Sequence, residues 1–219
     1  MKISILISDG EHPVVPALRD WSEQQRRSGH SVDMVFSSKD LGGGDVLFLV
    51  SCNEIVGPDT RAGYGATLVL HASNLPEGRG WSPYIWAVLG GADRVHVCLL
   101  EAAEPVDTGD IWLRGSFPLE GHELLAEIHD RLFAVELELM SQAIDTWDEI
   151  RPEPQHRIEP ATLPRRSPAD SALDPALSLA AQFDKIRVAD PERFPSFFDY
   201  RGHRYKVTIE KWPVPEEKA

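Results

Sequence analysis

Short apolar runs alternate with amphipathic stretches along the first 150 residues. The continuous apolar runs are typical of strands that are buried on both faces of a sheet. They cover residues 3–7, 32–36, 46–50, 67–70 and 95–100. Between several of them, apolar side chains recur at helical spacing, and this alternation of strand and helix builds largely parallel sheets. We therefore expect an α/β fold with a mostly parallel open sheet flanked by helices.

A long amphipathic stretch and a proline-rich segment follow these runs. Residues 122–150 carry apolar side chains on one face, which predicts a helix lying across the sheet. Prolines at 152, 154, 160, 164 and 168 then break regular structure. The predicted division is a main domain at 1–150, a linker at 151–174, a small accessory region at 175–212 with a helix at 177–183 and a hairpin turn at 200–205, and a tail at 213–219.

The charge balance is strongly acidic, with 22 Lys and Arg residues against 35 Asp and Glu residues and a net charge of −13 at pH 7. Such a chain repels phosphate backbones, so we expect no nucleic-acid partner. No apolar run reaches the roughly 18 residues that a membrane span needs, so we expect no membrane partner and a cytoplasmic location. Cys52 and Cys98, like the histidines, lack metal-ligand spacing, and we expect no metal.

Two polar residues stand where the predicted sheet would expose them. His71 ends the run at 67–70, and Asp107 follows the run at 95–100 in an acidic loop, residues 101–110. Ligand sites of open parallel sheets favour the carboxyl ends of strands, so we expect the two side chains to face one another there. A histidine can donate a proton and stabilise an oxyanion, while a carboxylate orients it or accepts a proton. By spacing alone, an ordinary hydrogen-bonded histidine is the alternative.

Several blocks around these residues are similar to the folate-dependent formyltransferases, a family that includes methionyl-tRNA formyltransferases and sugar N-formyltransferases of the pseudaminic acid biosynthesis type. The blocks are residues 45–56, residues 71–76 with 80–83, and residues 106–111, and a weaker likeness covers residues 163–210. The resemblance implies a Rossmann-like formyltransferase fold with a short C-terminal helix-hairpin extension. It also implies a 10-formyltetrahydrofolate donor and an amine acceptor, for which we predict an amino sugar, nucleotide-linked or a nonulosonic acid precursor.

The family's chemistry uses an Asn-x-His set followed by a distant Asp, and this chain departs from it at one position. His71 and Asp107 match, which implies an acid and electrophile in His71 and a proton-handling partner in Asp107. Val69 stands where the family has its asparagine. We predict that Asn74 supplies the missing oxyanion donor. Donation by Asn53, donation by His71 and backbone groups alone, and a degenerate site remain open.

The resemblance also implies which loops hold the ligands. The predicted donor-binding residues are Ser51, Cys52, Asn53, Ile55, Leu100, Glu101 and Val106. The predicted acceptor-binding residues are Ser73, Arg79, Trp81 and Asp110. A non-catalytic folate- or sugar-binding relative and a formyltetrahydrofolate hydrolase are the alternative functions, and a homodimer is left open.

Overall fold

The computed structural model describes residues 1–156 and 162–213. Its strands are β1 (Lys2–Leu6), β2 (Ser31–Val35), β3 (Gly44–Leu49), β4 (Tyr64–His71), β5 (Arg94–Glu101), β6 (Ile111–Pro118), β7 (Ser196–Tyr200) and β8 (His203–Val207). Its α-helices are α1 (Val15–Arg27), α2 (Pro58–Arg61), α3 (Pro83–Leu89), α4 (Leu125–Asp145) and α5 (Phe183–Arg187). Residues 157–161 of the predicted linker and residues 214–219 of the predicted tail lie outside the described residues.

The main sheet has the strand order β2-β1-β3-β4-β5-β6, and all its neighbours are parallel except those of β5. The mostly parallel sheet is confirmed, and the runs at 46–50, 67–70 and 95–100 share it. The strand β5 is antiparallel to β4, so its last residue, Glu101, lies opposite Leu68. The expectation that β4 and β5 end at the same edge was therefore wrong.

The connection between β4 and β5 explains the reversal. For the next strand to be parallel, the connecting helix has to return the chain to the edge where the preceding strand began, so it has to be about as long as that strand. The strand β4 has eight residues and is about 26 Å long. The helix α3 has only seven residues and spans about 10 Å, so the chain re-enters the sheet from the carboxyl edge of β4.

The two faces of the sheet are covered differently. The helices α1, α3 and α4 cover one face and form the main hydrophobic core with it. Loops and the short α2 cover the other face, where two smaller apolar clusters lie. Side chains alternate along a strand, so Leu68 and Leu70 of β4 enter the main core. Val69 and His71 project to the loop-covered face, which is where the predicted chemistry lies.

The C-terminal extension combines α5 with the β7–β8 hairpin, as predicted, but its helix is shifted along the chain. The predicted helix at 177–183 was wrong, because α5 begins at Phe183. The side chain of Gln182 accepts a hydrogen bond from the Asp174 backbone N–H and donates to the carbonyl of the same residue. These bonds keep residues 174–179 out of a regular helix, and a short 3₁₀ helix, Ala180–Gln182, leads into α5. Across the described residues, no helix is both long and apolar enough to cross a bilayer.

The helix α4 ends at Asp145, five residues before the predicted end. The backbone N–H and the side-chain hydroxyl of Thr146 both bond to the carbonyl of Gln142. Trp147 then packs against Trp112 of β6, with 5.0 Å between the ring centroids. The chain therefore leaves the helical path in order to bury this indole ring.

The apolar face of α4 carries one carboxyl group, that of Glu136, which is 7% exposed. Its Oε2 has no hydrogen-bond partner among the described residues, and burial raises the pKa of Glu136 to about 8. The folded state therefore keeps a proton that the unfolded chain, with an ordinary pKa of 4.5, releases. We expect the contribution of Glu136 to the free energy of unfolding to be most favourable below pH 4.5 and to fall as the pH rises toward 8.

Substituting Glu136→Gln should remove this pH dependence. At pH 8 the substitution is expected to raise the free energy of unfolding by on the order of 2–4 kcal/mol. Urea denaturation between pH 5 and pH 8 measures the effect. Glu138→Gln is the matched control, because it makes the same change on the exposed face of the same helix. Equal pH profiles for the wild type and the Glu136 variant would contradict the prediction.

Candidate active site

His71 is the last residue of β4, and its side chain is only 8% exposed. Its Nε2 lies 2.9 Å from the backbone carbonyl oxygen of Gly78. A carbonyl can only accept, so Nε2 carries a proton. Gly78 has φ of +74°, and a Cβ there would lie 2.8 Å from the Cβ of Ser73, so the turn that presents this carbonyl requires glycine. The imidazole ring is thereby held in one orientation, with Nδ1 as its available edge.

Asp107 faces that edge of the imidazole. Its Oδ1 lies 3.5 Å from His71 Nδ1, and its side chain is 13% exposed. Its Oδ2 accepts a hydrogen bond of 3.0 Å from the Gly80 backbone N–H. The φ of Asp107 is +60°, a left-handed conformation that aspartate adopts more readily than most residues. The loop after β5 thus turns Asp107 back to His71, although β5 itself ends beside Leu68.

A side chain that the sequence pattern did not single out, Gln155, holds this loop. Its Nε2 donates to the backbone carbonyls of Asp107 at 3.0 Å and Gly109 at 2.8 Å. Its Oε1 accepts a hydrogen bond of 2.9 Å from Arg79. No local signal could have revealed Gln155, because the carbonyls that it bonds lie 48 and 46 residues away in the chain.

The predicted substitute donor, Asn74, is not brought to this pair. Its side chain is exposed, and its Oδ1 accepts a hydrogen bond of 3.3 Å from Arg114 of β6. No hydrogen bond joins Asn74 to His71 or Asp107 in the described part of the chain. The preceding turn instead presents this amide to the neighbouring strands, where Arg114 also donates to the carbonyl of Leu75 at 3.0 Å.

The predicted acceptor-binding residues make different contacts. They are Ser73, Arg79, Trp81 and Asp110. Ser73 donates its hydroxyl to a backbone carbonyl four residues later, so it closes a turn. Arg79 is directed to Gln155, and Asp110 lies partly exposed just before β6. Trp81 is 41% exposed, and the guanidinium of Arg165 lies 4.9 Å from the centroid of its ring.

The first predicted donor loop is joined to the turn after β1. The hydroxyl of Ser8 accepts from the backbone N–H of Asn53 at 2.7 Å and donates to the sulfur of Cys52 at 3.6 Å. Burial raises the pKa of the Cys52 thiol, which therefore stays protonated. Ser51 has φ of +45°, which turns the chain out of β3. The side chain of Ile55 is 80% exposed at the end of this loop.

The second predicted donor loop begins with two residues of β5. Leu100 is fully buried with Leu75 and Cys98, so its side chain is not accessible to a ligand. The carboxylate of Glu101 accepts a hydrogen bond of 3.0 Å from the indole N–H of Trp112. The side chain of Val106 is 58% exposed next to Asp107. Each loop therefore presents one exposed apolar side chain.

A cavity of about 330 Å³ lies on the loop-covered face, between α2, the first half of β4 and the end of β5. Two polar atoms of its lining residues, Nε of Arg61 and Oγ1 of Thr67, are buried and have no hydrogen-bond partner among the described residues. Such atoms are rare in folded proteins. Thr67, Val69 and His71 occupy alternate positions of β4, so this cavity and the imidazole lie on the same face of the sheet.

A comparison of the sequence with known protein families identifies the family of this chain. The family described as formyl transferase matches residues 8–144, more than half of the chain. The chain belongs to the formyl transferase family. The matched region contains His71 and Asp107 and ends before Gln155.

Similar proteins in this formyl transferase family differ in length. Methionyl-tRNA formyltransferase of Ruegeria pomeroyi is 31% identical over 144 residues, which are 64% of this chain and 46% of that protein. The chain spans about half the length of the curated relatives it matches. The solved structure of methionyl-tRNA formyltransferase from Clostridium thermocellum has a TM-score of 0.82 at 18% identity, covering 97% of this chain and 94% of that one.

A second solved structure is that of a protein named for a different acceptor. A sugar N-formyltransferase from Shewanella sp FDAARGOS_354 has a TM-score of 0.72 at 13% identity. The superposition covers 98% of this chain and 99% of that one. At these identities, both structures show a shared fold and nothing more specific.

Proposed function

We propose that this chain transfers a formyl group from 10-formyltetrahydrofolate to an amine. The observation that carries the proposal is the contact between His71 and Asp107, 3.5 Å apart within the region that matches the family. Both side chains are largely enclosed, which strengthens electrostatic interactions between them and a bound substrate. The pair combines a proton donor with a carboxylate, the two groups that transfer to an amine requires.

The orientation of the imidazole assigns a role to each nitrogen. When an amine attacks a formyl carbon, negative charge develops on the formyl oxygen and the amine has to lose a proton. Because Nε2 of His71 keeps its proton against Gly78, Nδ1–H is the group that donates to that oxygen. Asp107 lies against the imidazole and accepts the proton of the amine. The bond between the formyl carbon and the folate nitrogen then breaks, and that nitrogen leaves with a proton delivered through the His71–Asp107 pair.

We propose that the donor binds between the two loops that carry Ile55 and Val106. Their exposed apolar side chains provide surface for a flat aromatic ring such as a pterin. The unpartnered atoms of Arg61 and Thr67 supply a hydrogen-bond donor and a hydroxyl for its polar edge. Thr67 and His71 are about 13 Å apart along β4, so a donor held at Thr67 extends past Val69 to reach the imidazole.

We propose an amino sugar, nucleotide-linked or a nonulosonic acid precursor, as the acceptor. The net charge of −13 disfavours the phosphate backbone of a transfer RNA. The superposition with a sugar N-formyltransferase extends over nearly the whole of both chains. The exposed ring of Trp81 with Arg165 stacked on it suits a nucleotide or an acidic sugar.

Val69 favours a second candidate, a relative that binds folate or a sugar without transferring a formyl group. A valine side chain has no hydrogen-bond donor for the developing oxyanion. Removal of one such donor costs about 10²–10³-fold in rate in other enzymes. Hydrolysis of the formyl donor is a further variant, in which water replaces the amine.

Two measurements on the wild type test the proposal. Saturating 10-formyltetrahydrofolate should raise thermal stability, since a ligand at 100 times its dissociation constant adds about 2.7 kcal/mol to a folded state. Ile55→Ser and Val106→Ser should reduce the shift without changing unliganded stability, because both side chains are exposed. Ile209→Ser, an exposed change in the C-terminal region, is the control and should keep the shift.

The second measurement is formyl transfer to a panel of nucleotide-linked amino sugars, nonulosonic acid precursors and methionyl-tRNA. Transfer to an amino sugar is the expected result. Transfer to methionyl-tRNA alone would overturn the proposed acceptor while leaving the proposed reaction intact. A thermal shift without transfer to any amine would favour the binding protein, and the absence of any shift would refute the donor site.

A further inference from the structure

Gln155 lies outside the region that matches the family, yet it joins the two loops that hold the catalytic pair. Its amide nitrogen bonds to the carbonyls of Asp107 and Gly109, and its oxygen bonds to Arg79. Arg79 stands between Gly78, whose carbonyl fixes His71, and Gly80, whose N–H fixes Asp107. One side chain thus connects the backbone supports of both members of the pair.

The backbone around Gln155 is itself fixed. Two residues earlier, Glu153 exchanges two backbone hydrogen bonds of 2.8 Å each with Ile111, the first residue of β6. This pairing extends the edge of the main sheet beside the Asp107 loop. Gln155 therefore reaches Asp107 from a rigid support.

The conformation of the Asp107 loop explains why it needs such a support. A left-handed φ is unfavourable for a residue with a side chain and persists only where the surroundings impose it. Gly109, two residues later, packs so closely that a Cβ would lie 2.0 Å from the carbonyl oxygen of Glu101. The amide nitrogen of Gln155 carries two N–H donors, so it serves the carbonyls of Asp107 and Gly109 together.

We propose that Gln155 is a positioning residue for formyl transfer, which holds the Asp107 carboxylate against Nδ1 of His71. The inference rests on the proposed function for its consequence in rate. Whether the surroundings of the His71 imidazole depend on Gln155 can be tested without measuring any activity. The segment that follows the matched residues 8–144 thereby contributes a residue to the active site.

Three variants separate positioning from general stability. Gln155→Glu keeps the size of the side chain and an acceptor for Arg79 but has no N–H donor. Gln155→Ala removes all three hydrogen bonds. Gln182→Ala is the matched control, because Gln182 also braces a turn by donating to a backbone carbonyl and accepting from a backbone N–H, in the C-terminal region.

Both Gln155 variants are expected to lower kcat by roughly 10- to 100-fold, the loss that follows a displacement of about 1 Å in a catalytic group. The KM for the donor should stay nearly unchanged, and Gln182→Ala should lower the melting temperature without lowering kcat. Adding Gln155→Ala to Asp107→Asn should cost much less than the product of the two single losses, since Gln155 acts mainly through Asp107.

Nuclear magnetic resonance of the His71 ring nitrogens provides the readout that does not require turnover. In Gln155→Glu and Gln155→Ala, the ¹⁵N shift of Nδ1 should move toward its value in Asp107→Asn, while Gln182→Ala should leave it at the wild-type position. An unchanged Nδ1 shift in a folded Gln155→Glu protein would overturn the inference, as would fully additive losses in the double variant. A wild type without transfer activity would refute the proposed function, and the Nδ1 shift would still decide the role of Gln155.

Discussion

Formyl transfer should fall by roughly 10²- to 10⁴-fold when His71 is replaced by asparagine or when Asp107 is replaced by asparagine. The first change removes the proton donor of the imidazole, and the second removes the carboxylate 3.5 Å from Nδ1. Asparagine suits both positions. At position 71 it removes the imidazole without adding bulk, although its shorter side chain does not reach the Gly78 carbonyl, and at position 107 it tolerates the left-handed backbone. Steady-state transfer to the accepted amine measures the loss.

The fold should survive both substitutions, because neither side chain belongs to the main hydrophobic core. Melting temperatures and folate-induced shifts should therefore stay close to those of the wild type. His96→Asn is the matched control, since it makes the same change on the adjacent strand β5. A folded His71→Asn protein that still transfers formyl groups at the wild-type rate would refute the proposed mechanism.

Val69→Asn should raise the rate of transfer, by up to about 10²–10³-fold if the formyl oxygen of the wild type lacks a side-chain amide donor. Val69 projects from the same face of β4 as His71 and is partly exposed there. The change therefore adds an N–H donor on the imidazole side of the sheet. Asn74, whose oxygen is bonded to Arg114, does not supply that donor in this structure. The kcat of the variant with the wild-type acceptor is the measurement.

Val69→Asp controls for polarity and size, because an ionised carboxylate has no N–H to donate. It should lower the rate, while Val69→Asn raises it. A rate that stays at the wild-type level in a folded Val69→Asn protein would mean that another group already stabilises the oxyanion. In that outcome, backbone N–H groups near His71 become the candidates.

The sequence by itself determined the layered sheet and the C-terminal hairpin. Five of the six strands of the main sheet coincide with an apolar run of the sequence, such as residues 46–50, because a strand that is buried on both faces of a sheet needs apolar side chains on both. His71 and Asp107 could also be selected from the sequence, because their neighbouring blocks match a family and each block is contiguous. Local patterns and short motifs can be recognised without knowledge of the tertiary structure.

The tertiary structure alone decided the direction of β5 and the position of Asn74. The apolar run of β5 has the same pattern in either direction, and the short α3 fixed its orientation through the distance that it can span. Asn74 was chosen for its closeness to His71 in the sequence. Because of the turn that follows β4, the side chain of Asn74 instead accepts a hydrogen bond from Arg114, 40 residues away in the chain.

The role of Gln155 also could not be predicted from the sequence. Nothing in its surroundings in the sequence marks it, since it stands alone in a proline-rich segment. Its role arises from two backbone carbonyls and one guanidinium that only the folded chain brings together. Hydrogen bonds depend on distances of about 3 Å between groups, and sequence separation carries no information on such distances once the chain has folded back on itself.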